Sequence, residues 1–295
     1  MHTLRQRYLE LLKRSLLNEL HPEMEAQLLH VVLSCAHRQP VALESLWEAR
    51  SNQGLLDAIR EARAGGDTLV LRGLDAHGRV IDRPDLRNYA EFAHTLIGRA
   101  RLDHLQHCAE TLLREGVEGD FLEAGVWRGG ACVLLAGVLA AHDDPRKIWL
   151  ADSFRGVPPP RLPEDGGWDM SAAALPVLAV SESEVRSLFE RYDLLTDRIR
   201  FLNGWFRDTL PAFAAPPIAL LRIDADLYES TRDVLVYIYK HVVDGGYVVI
   251  DDYGIIEPCR RAVDEFRRQH GIDDELKWID AHGVYWRRGV RRAAR

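Results

Sequence analysis

The sequence predicts an α/β fold: a mostly parallel, Rossmann-like sheet with a terminal antiparallel pair, preceded by an N-terminal helical cap. Three observations carry this. From residue 120 onward, short apolar runs alternate with stretches of helical periodicity. The first run, Asp120-Phe-Leu-Glu123, passes through Gly125 and Gly129-Gly130 straight into a helical stretch, the strand–turn–helix unit with which α/β sheets approach a cofactor. The last two runs, Lys277–Asp280 and Val284–Arg287, flank Ala281-His282-Gly283 as an antiparallel pair does. The expected division is a cap or lid over residues 1–80 and a cofactor-binding domain over 81–295.

In chain order, Leu4, Tyr8, Leu11, Leu12, Leu16 and Leu20 recur at helical spacing, and Pro22 suits the first turn of a second helix reaching Cys35. Residues 39–64 suggest short helices, Gly65-Gly66 breaks the chain, and Thr68–Arg72 with Arg79–Ile81 suggest a small hairpin around Asp75–Gly78. Helices are expected at 85–98 and 99–115. The alternation then runs strand 120–123, helix 130–142, strand 147–152, a proline-rich excursion, helix 182–192, strand 199–202, strand 218–224, helix 230–243, strand 246–252 and helix 259–270.

Bulk composition narrows the function classes. With 295 residues, 47% apolar and 28% charged, the chain can bury a full core. A net charge of -7 supplies no basic field for nucleic acid, and no run of 18 apolar residues predicts a membrane span. Cys35, Cys108, Cys132 and Cys259 form no C-x-x-C, which suits reduced thiols in the cytoplasm.

What stands at the strand ends is more informative. Parallel sheets bind ligands outside the carboxyl ends of their strands. Here those ends carry Glu123, Asp152, Asn203-Gly204-Trp205, Asp224 and Asp251-Asp252. Glu123 ahead of the glycine turn disfavours a pyrophosphate, since carboxylate and phosphate repel, and favours a cofactor with a cationic group. Gly125-x-x-x-Gly129-Gly130 matches neither the dinucleotide glycine pattern nor a P-loop. Asp152 stands where such folds place an acid on ribose hydroxyls, or else caps a turn. Asp224, Asp251 and Asp252 would repel one another unless a hard cation joined them, and all-oxygen ligation points to Mg²⁺. Asp226 reads as facing the start of the next helix beside Tyr228 and Ser230.

Six motifs in order carry a resemblance: Phe121-Leu-Glu-Ala-Gly-Val-Trp-Arg-Gly-Gly130, Ala151-Asp-Ser-Phe154, Phe201-x-x-Gly-Trp-Phe-x-Asp-Thr-Leu210, Arg222-Ile-Asp-x-Asp-Leu-Tyr-Glu-Ser-Thr231, Gly246-Tyr-x-x-x-Asp-Asp-Tyr253 and Gly283-Val-Tyr-Trp286. Together they resemble the macrocin O-methyltransferase family over about residues 89–288. The resemblance implies the class I methyltransferase fold and S-adenosylmethionine- and Mg²⁺-dependent methylation of sugar hydroxyls in antibiotic biosynthesis. It implies that Glu123, Ala124, Gly125, Val126, Trp127 and Gly129 hold the methionine end of the cofactor. Asp152 and Ser153 would serve the ribose, and Gly204-Trp205 the adenine. Thr95 and Leu96 would close over the cofactor, although the family often has Met where this chain has Leu96. Asp224, Asp251 and Asp252 would hold Mg²⁺, with Asp224 as general base and also near the cofactor, and His282 as the reserve base. The acceptor is expected to be a glycosylated secondary metabolite and the protein a homodimer. A phenol, catechol or polyketide hydroxyl is the alternative acceptor; a nicotinamide oxidoreductase or a binding protein without turnover are the remaining readings.

Overall fold

The computed structural model describes residues 3–36, 38–54, 56–57, 71–74, 80–83 and 93–289. The chain divides into two compact units, Met1–Leu102 and Asp103–Arg295.

The N-terminal unit contains α1 (Leu4–Leu16), α2 (Pro22–Ala36), α3 (Leu43–Ala49) and an antiparallel pair, β1 (Leu71–Leu74) with β2 (Val80–Arg83). Thr3 and Gln6 form a reciprocal capping box that starts α1, and Leu9, Leu12 and Leu16 bury one face of it. Arg99 ties this unit together through Glu10 (3.0 Å) and Glu19 (2.5 Å). The expected turn 75–78, the breaker at 65–66, the rest of the 58–64 segment, most of the expected helix 85–98 and the basic tail 290–295 lie outside the described residues. Residues 93–98 are irregular, not helical.

The unit boundary falls within α4 (Arg99–Glu115). Next come β3 (Asp120–Ala124), α5 (Gly130–Ala141), β4 (Ile148–Asp152), α6 (Glu182–Arg191), β5 (Ile199–Asn203), β6 (Ile218–Ile223), α7 (Tyr228–Ile238), β7 (Val242–Ile250), α8 (Glu257–Gln269), β8 (Lys277–Trp278) and β9 (Val284–Arg287). The strands form one sheet in the order β5-β4-β3-β6-β7-β9-β8, parallel through β7 and antiparallel from β7 to β9 and β9 to β8. The fold class therefore stands as expected. Every residue of β6 is buried, as expected of a central parallel strand covered on both faces. The apolar run of α5 buries residues from Gly130 to Leu139 and so reads as a core helix rather than an amphipathic one. Leu122, Leu221, Ile223, Val248 and Ile250 pack under Val234, Ile238, Val263, Phe266 and Trp286. Removing Leu221, which is fully buried, with a Leu221→Ala change should cost about 2–5 kcal/mol. A urea titration should show it as a lower midpoint at unchanged slope.

This strand order fixes where a ligand goes. The chain runs outward from β3 to β4 and β5, then crosses back to β6 and outward the other way. The carboxyl ends of β3 and β6 are therefore the topological switch point, where α/β sheets leave a crevice.

Candidate active site

The turn after β3 is built on backbone conformations that side chains resist. Gly125 has φ of +87°, and a Cβ there would overlap the backbone carbonyl oxygen of Asp224. The main chain can pass this close because β3 stays zipped on both sides: Gly125 N–H donates to the Ala151 carbonyl (2.9 Å), and Asp224 N–H donates to that of Ala124 (2.8 Å). Gly129, at φ +88°, opens α5, and a Cβ there would lie 2.8 Å from Val185 Cγ1. Between them Trp127 takes φ of +46°, its indole N–H donating to the Val177 carbonyl at 2.9 Å. The N-terminus of α5 thus faces the turn, with its backbone N–H groups and dipole favouring negative ligand atoms.

Asp152 organises the neighbouring strand ends. Its Oδ2 accepts from Val126 N–H and its Oδ1 from Phe154 N–H, both at 2.7 Å. Its carbonyl accepts from Gly204 N–H at 2.9 Å. Burial raises its pKa, and the N–H groups of Val126, Phe154 and Trp127 work against that rise. Ser153 Oγ donates to the Gly156 carbonyl at 2.7 Å, and Trp205 starts the helical turn Phe206–Thr209. Glu123, Ala124, Gly125, Val126, Trp127, Gly129, Asp152, Ser153, Gly204 and Trp205 therefore converge on the ends of β3, β4 and β5. Thr95 and Leu96 belong to the N-terminal unit, where Thr95 is buried and its Oγ1 accepts from Ile97 N–H at 3.4 Å.

On the β6 and β7 side the organiser is Arg222, a residue to which its sequence context assigns no role. Glu123 of β3 stands directly opposite it in register. Arg222 Nη1 donates to Glu123 Oε1, while Nη2 donates to both Asp224 Oδ2 (2.9 Å) and Asp251 Oδ1 (2.6 Å). The other Glu123 oxygen accepts from Cys132 Sγ at 2.6 Å. Glu123 is 1% exposed. Burial lifts its pKa to about 7, against the opposing pull of Arg222 and Cys132. The glutamate ahead of the glycine turn is thus a buried ion-pair partner with both oxygens engaged.

The carboxylates that come together for a cation are Asp224, Asp226 and Asp252, whose ligand atoms lie within 4.8 Å of one another. Asp226 stands with Asp224 and Asp252, while the Asp251 carboxylate, like that of Asp224, accepts from Arg222. Asp226 is not the cap of α7: the Tyr228 N–H donates instead to Asp165 Oδ1 at 2.8 Å, from the proline-rich excursion. Asp226 sits at φ +57°. Burial, then the charges of Asp224, Asp251 and Asp152, push its pKa up to about 8. An oxygen-only set of three crowded acids suits a hard divalent cation.

His282 lies in the turn between β8 and β9, its N–H donating to Asp280 Oδ1 at 2.8 Å. Its carbonyl accepts from Gly254 N–H at 2.7 Å, which fastens this turn to the loop just after Asp252.

Comparisons with known proteins give the family. The family model described as Macrocin-O-methyltransferase (TylF) matches residues 5–288. Demethyldecarbamoylnovobiocin O-methyltransferase from Streptomyces niveus is 50% identical over 211 residues, covering 70% of this chain and 80% of that protein. The 8-demethyl-8-(2,3-dimethoxy-alpha-L-rhamnosyl)-tetracenomycin-C 4'-O-methyltransferase of Streptomyces olivaceus is 46% identical over 213 residues, covering 68% and 78%. The solved structure of the O-methyltransferase NovP superposes with a TM-score of 0.71 at 39% identity, covering 96% of this chain and 99% of that one. With a family model spanning nearly its whole length and the sheet order and glycine turn just described, the chain belongs to the macrocin O-methyltransferase family and is an O-methyltransferase.

Proposed function

We propose that the protein methylates a sugar hydroxyl of a glycosylated natural product, with S-adenosylmethionine as donor and Mg²⁺ as resident cation. The observation that carries the reading is the placement of the Asp224, Asp226 and Asp252 oxygens beside a glycine turn whose Gly125 lies against the Asp224 backbone. The acid-rich edge suits a donor that is cationic at both its sulfonium and its ammonium. The relative whose printed name specifies a rhamnosyl group supports a sugar acceptor.

When bound, the donor supplies an electrophilic methyl group and Mg²⁺ a fixed positive charge that lowers the pKa of a coordinated hydroxyl. The residues do the rest. Gly125, Val126, Trp127 and Gly129 present the donor seat, and Asp152 holds that turn in place while facing the ribose region with Ser153. Gly204 and Trp205 border the adenine region. Asp224 and Asp252 hold the cation, and Asp251, fixed by Arg222, lies behind them. Asp226 accepts the acceptor's proton in preference to Asp224, because the Arg222 guanidinium already occupies an oxygen of Asp224. His282, at the rim, is the second candidate for this step. Among the described residues no helix is long and apolar enough to cross a membrane. Buried, unbridged Cys108, Cys132 and Cys259 suit a reducing cytoplasm, and we propose a homodimer as the working form.

The experiment is calorimetric titration with S-adenosylmethionine in EDTA and again in Mg²⁺. Binding that survives EDTA is expected, with Mg²⁺ required only for turnover of a glycosylated acceptor. Absence of binding under both conditions would remove the reading.

A further inference from the structure

We propose that Arg222 is the positioning residue that locks the donor turn to the cation-holding acids, so that both halves of the site assemble as one unit. This rests on the methyltransferase reading above and gives Arg222 a task beyond bonding single acids of the site. Arg222 lies in the middle of the sheet, with Glu123 of β3 opposite it on one side and Val249 of β7 on the other. Two residues further along the strands come Gly125, Asp224 and Asp251, so one side chain at this position reaches both the acid ahead of the glycine turn and the acids at the ends of β6 and β7. The guanidinium uses that reach. Nη1 serves Glu123 alone, and Nη2 sits between Asp224 (2.9 Å) and Asp251 (2.6 Å).

This is a costly arrangement to keep for stability alone. Arg222 is 2% exposed and Glu123 1% exposed, and buried ion pairs in this setting are often no more stabilising than apolar residues of the same volume. The planar guanidinium does something an apolar packing could not: it fixes the direction of three carboxylates from three adjacent strands at once. A lysine presents a single point of charge and cannot span both sides. Glu123 is two residues from Gly125, and Asp224 is both part of the cation cluster and the residue whose carbonyl Gly125 packs against. Any shift of Arg222 therefore moves the donor turn and the acid cluster together.

The test titrates Mn²⁺, in place of Mg²⁺, by electron paramagnetic resonance with and without S-adenosylhomocysteine, in the full-length protein and in Arg222→Lys and Glu123→Gln variants. Partners that orient a ligating carboxylate typically contribute 10- to 100-fold to metal affinity. Mn²⁺ affinity should fall by about that factor in both variants, although Glu123 lies outside the acid cluster. In Glu123→Gln the guanidinium, relieved of one carboxylate, competes harder for Asp224. S-adenosylhomocysteine affinity should fall in the same variants. Variants that unfold cooperatively yet bind both ligands as the unaltered protein does would overturn the inference while leaving the reading intact. If Arg222→Lys does not fold, Glu123→Gln decides by itself. An unaltered protein that binds neither ligand would overturn the reading and this inference with it.

Discussion

Replacing Asp226 with Asn is expected to lower kcat by about 10²–10⁴-fold, the usual contribution of a general base, while leaving S-adenosylhomocysteine affinity close to that of the unaltered protein. The companion change, Asp224→Asn, should lower kcat comparably for a different reason: it removes a cation ligand. The two are separable by raising Mg²⁺. Excess cation should restore part of the Asp224→Asn activity by mass action and none of the Asp226→Asn activity. The asymmetry lies in the surroundings of each acid. Asp224 Oδ2 accepts from Arg222, whereas burial and the charges of Asp224, Asp251 and Asp152 raise the Asp226 pKa to about 8. Rescue of both variants by Mg²⁺, or of neither, would show that the two carboxylates share one task. A loss of cofactor affinity as large as the loss of turnover would contradict the assignment of these acids to the acceptor side.

Much of this architecture is legible in the sequence because parallel sheets announce themselves. The strands β3, β4, β5 and β6 are each expected within a residue of their observed bounds, since a buried run ending in an acid or a glycine has little other reading. The start of β7 is hidden. The helix expected to reach 243 stops at Ile238, a short 3₁₀ turn occupies Tyr239–His241, and the strand begins at Val242, ahead of Gly245-Gly246. Periodicity cannot separate a helix end from a strand start when both are apolar, and glycines read locally as a break. The site is legible in its carboxylates and not in its pairings. Arg222 looks like one charge in an apolar run, and only the β3–β6 register, which joins residues 99 apart, shows that it faces Glu123. Asp226 reads as belonging to the next helix because an acid stands near its start. The true cap, Asp165, comes from 63 residues upstream. With that duty taken, Asp226 turns toward Asp224 and Asp252. Local sequence offers the candidate for a cap, but tertiary structure decides which acid fills it.

A Gly125→Ala protein should fail to bind S-adenosylmethionine altogether, and this is the most severe single effect expected of any change outside the acids. Two penalties meet at this position and only one is conformational. At φ of +87° any Cβ is strained. The added methyl would also overlap the Asp224 carbonyl oxygen, a backbone atom that cannot rotate away. To relieve the overlap β3 and β6 would have to part at their carboxyl ends, breaking the Asp224 N–H bond to the Ala124 carbonyl. Overpacking of this kind costs about 1–3 kcal/mol and occasionally more. In a unit of this size each kcal/mol corresponds to roughly 2–4 °C in Tm. The same separation would displace the donor turn from the acids. Gly271 supplies the control, with φ of +61° and nothing within 4 Å of an added Cβ. Gly271→Ala carries the backbone strain without the overlap, so it should lose a little stability and no cofactor affinity. Calorimetry on the two variants isolates the close approach of β3 to β6 as the determinant. Equal binding by both would mean that the donor does not sit on this turn.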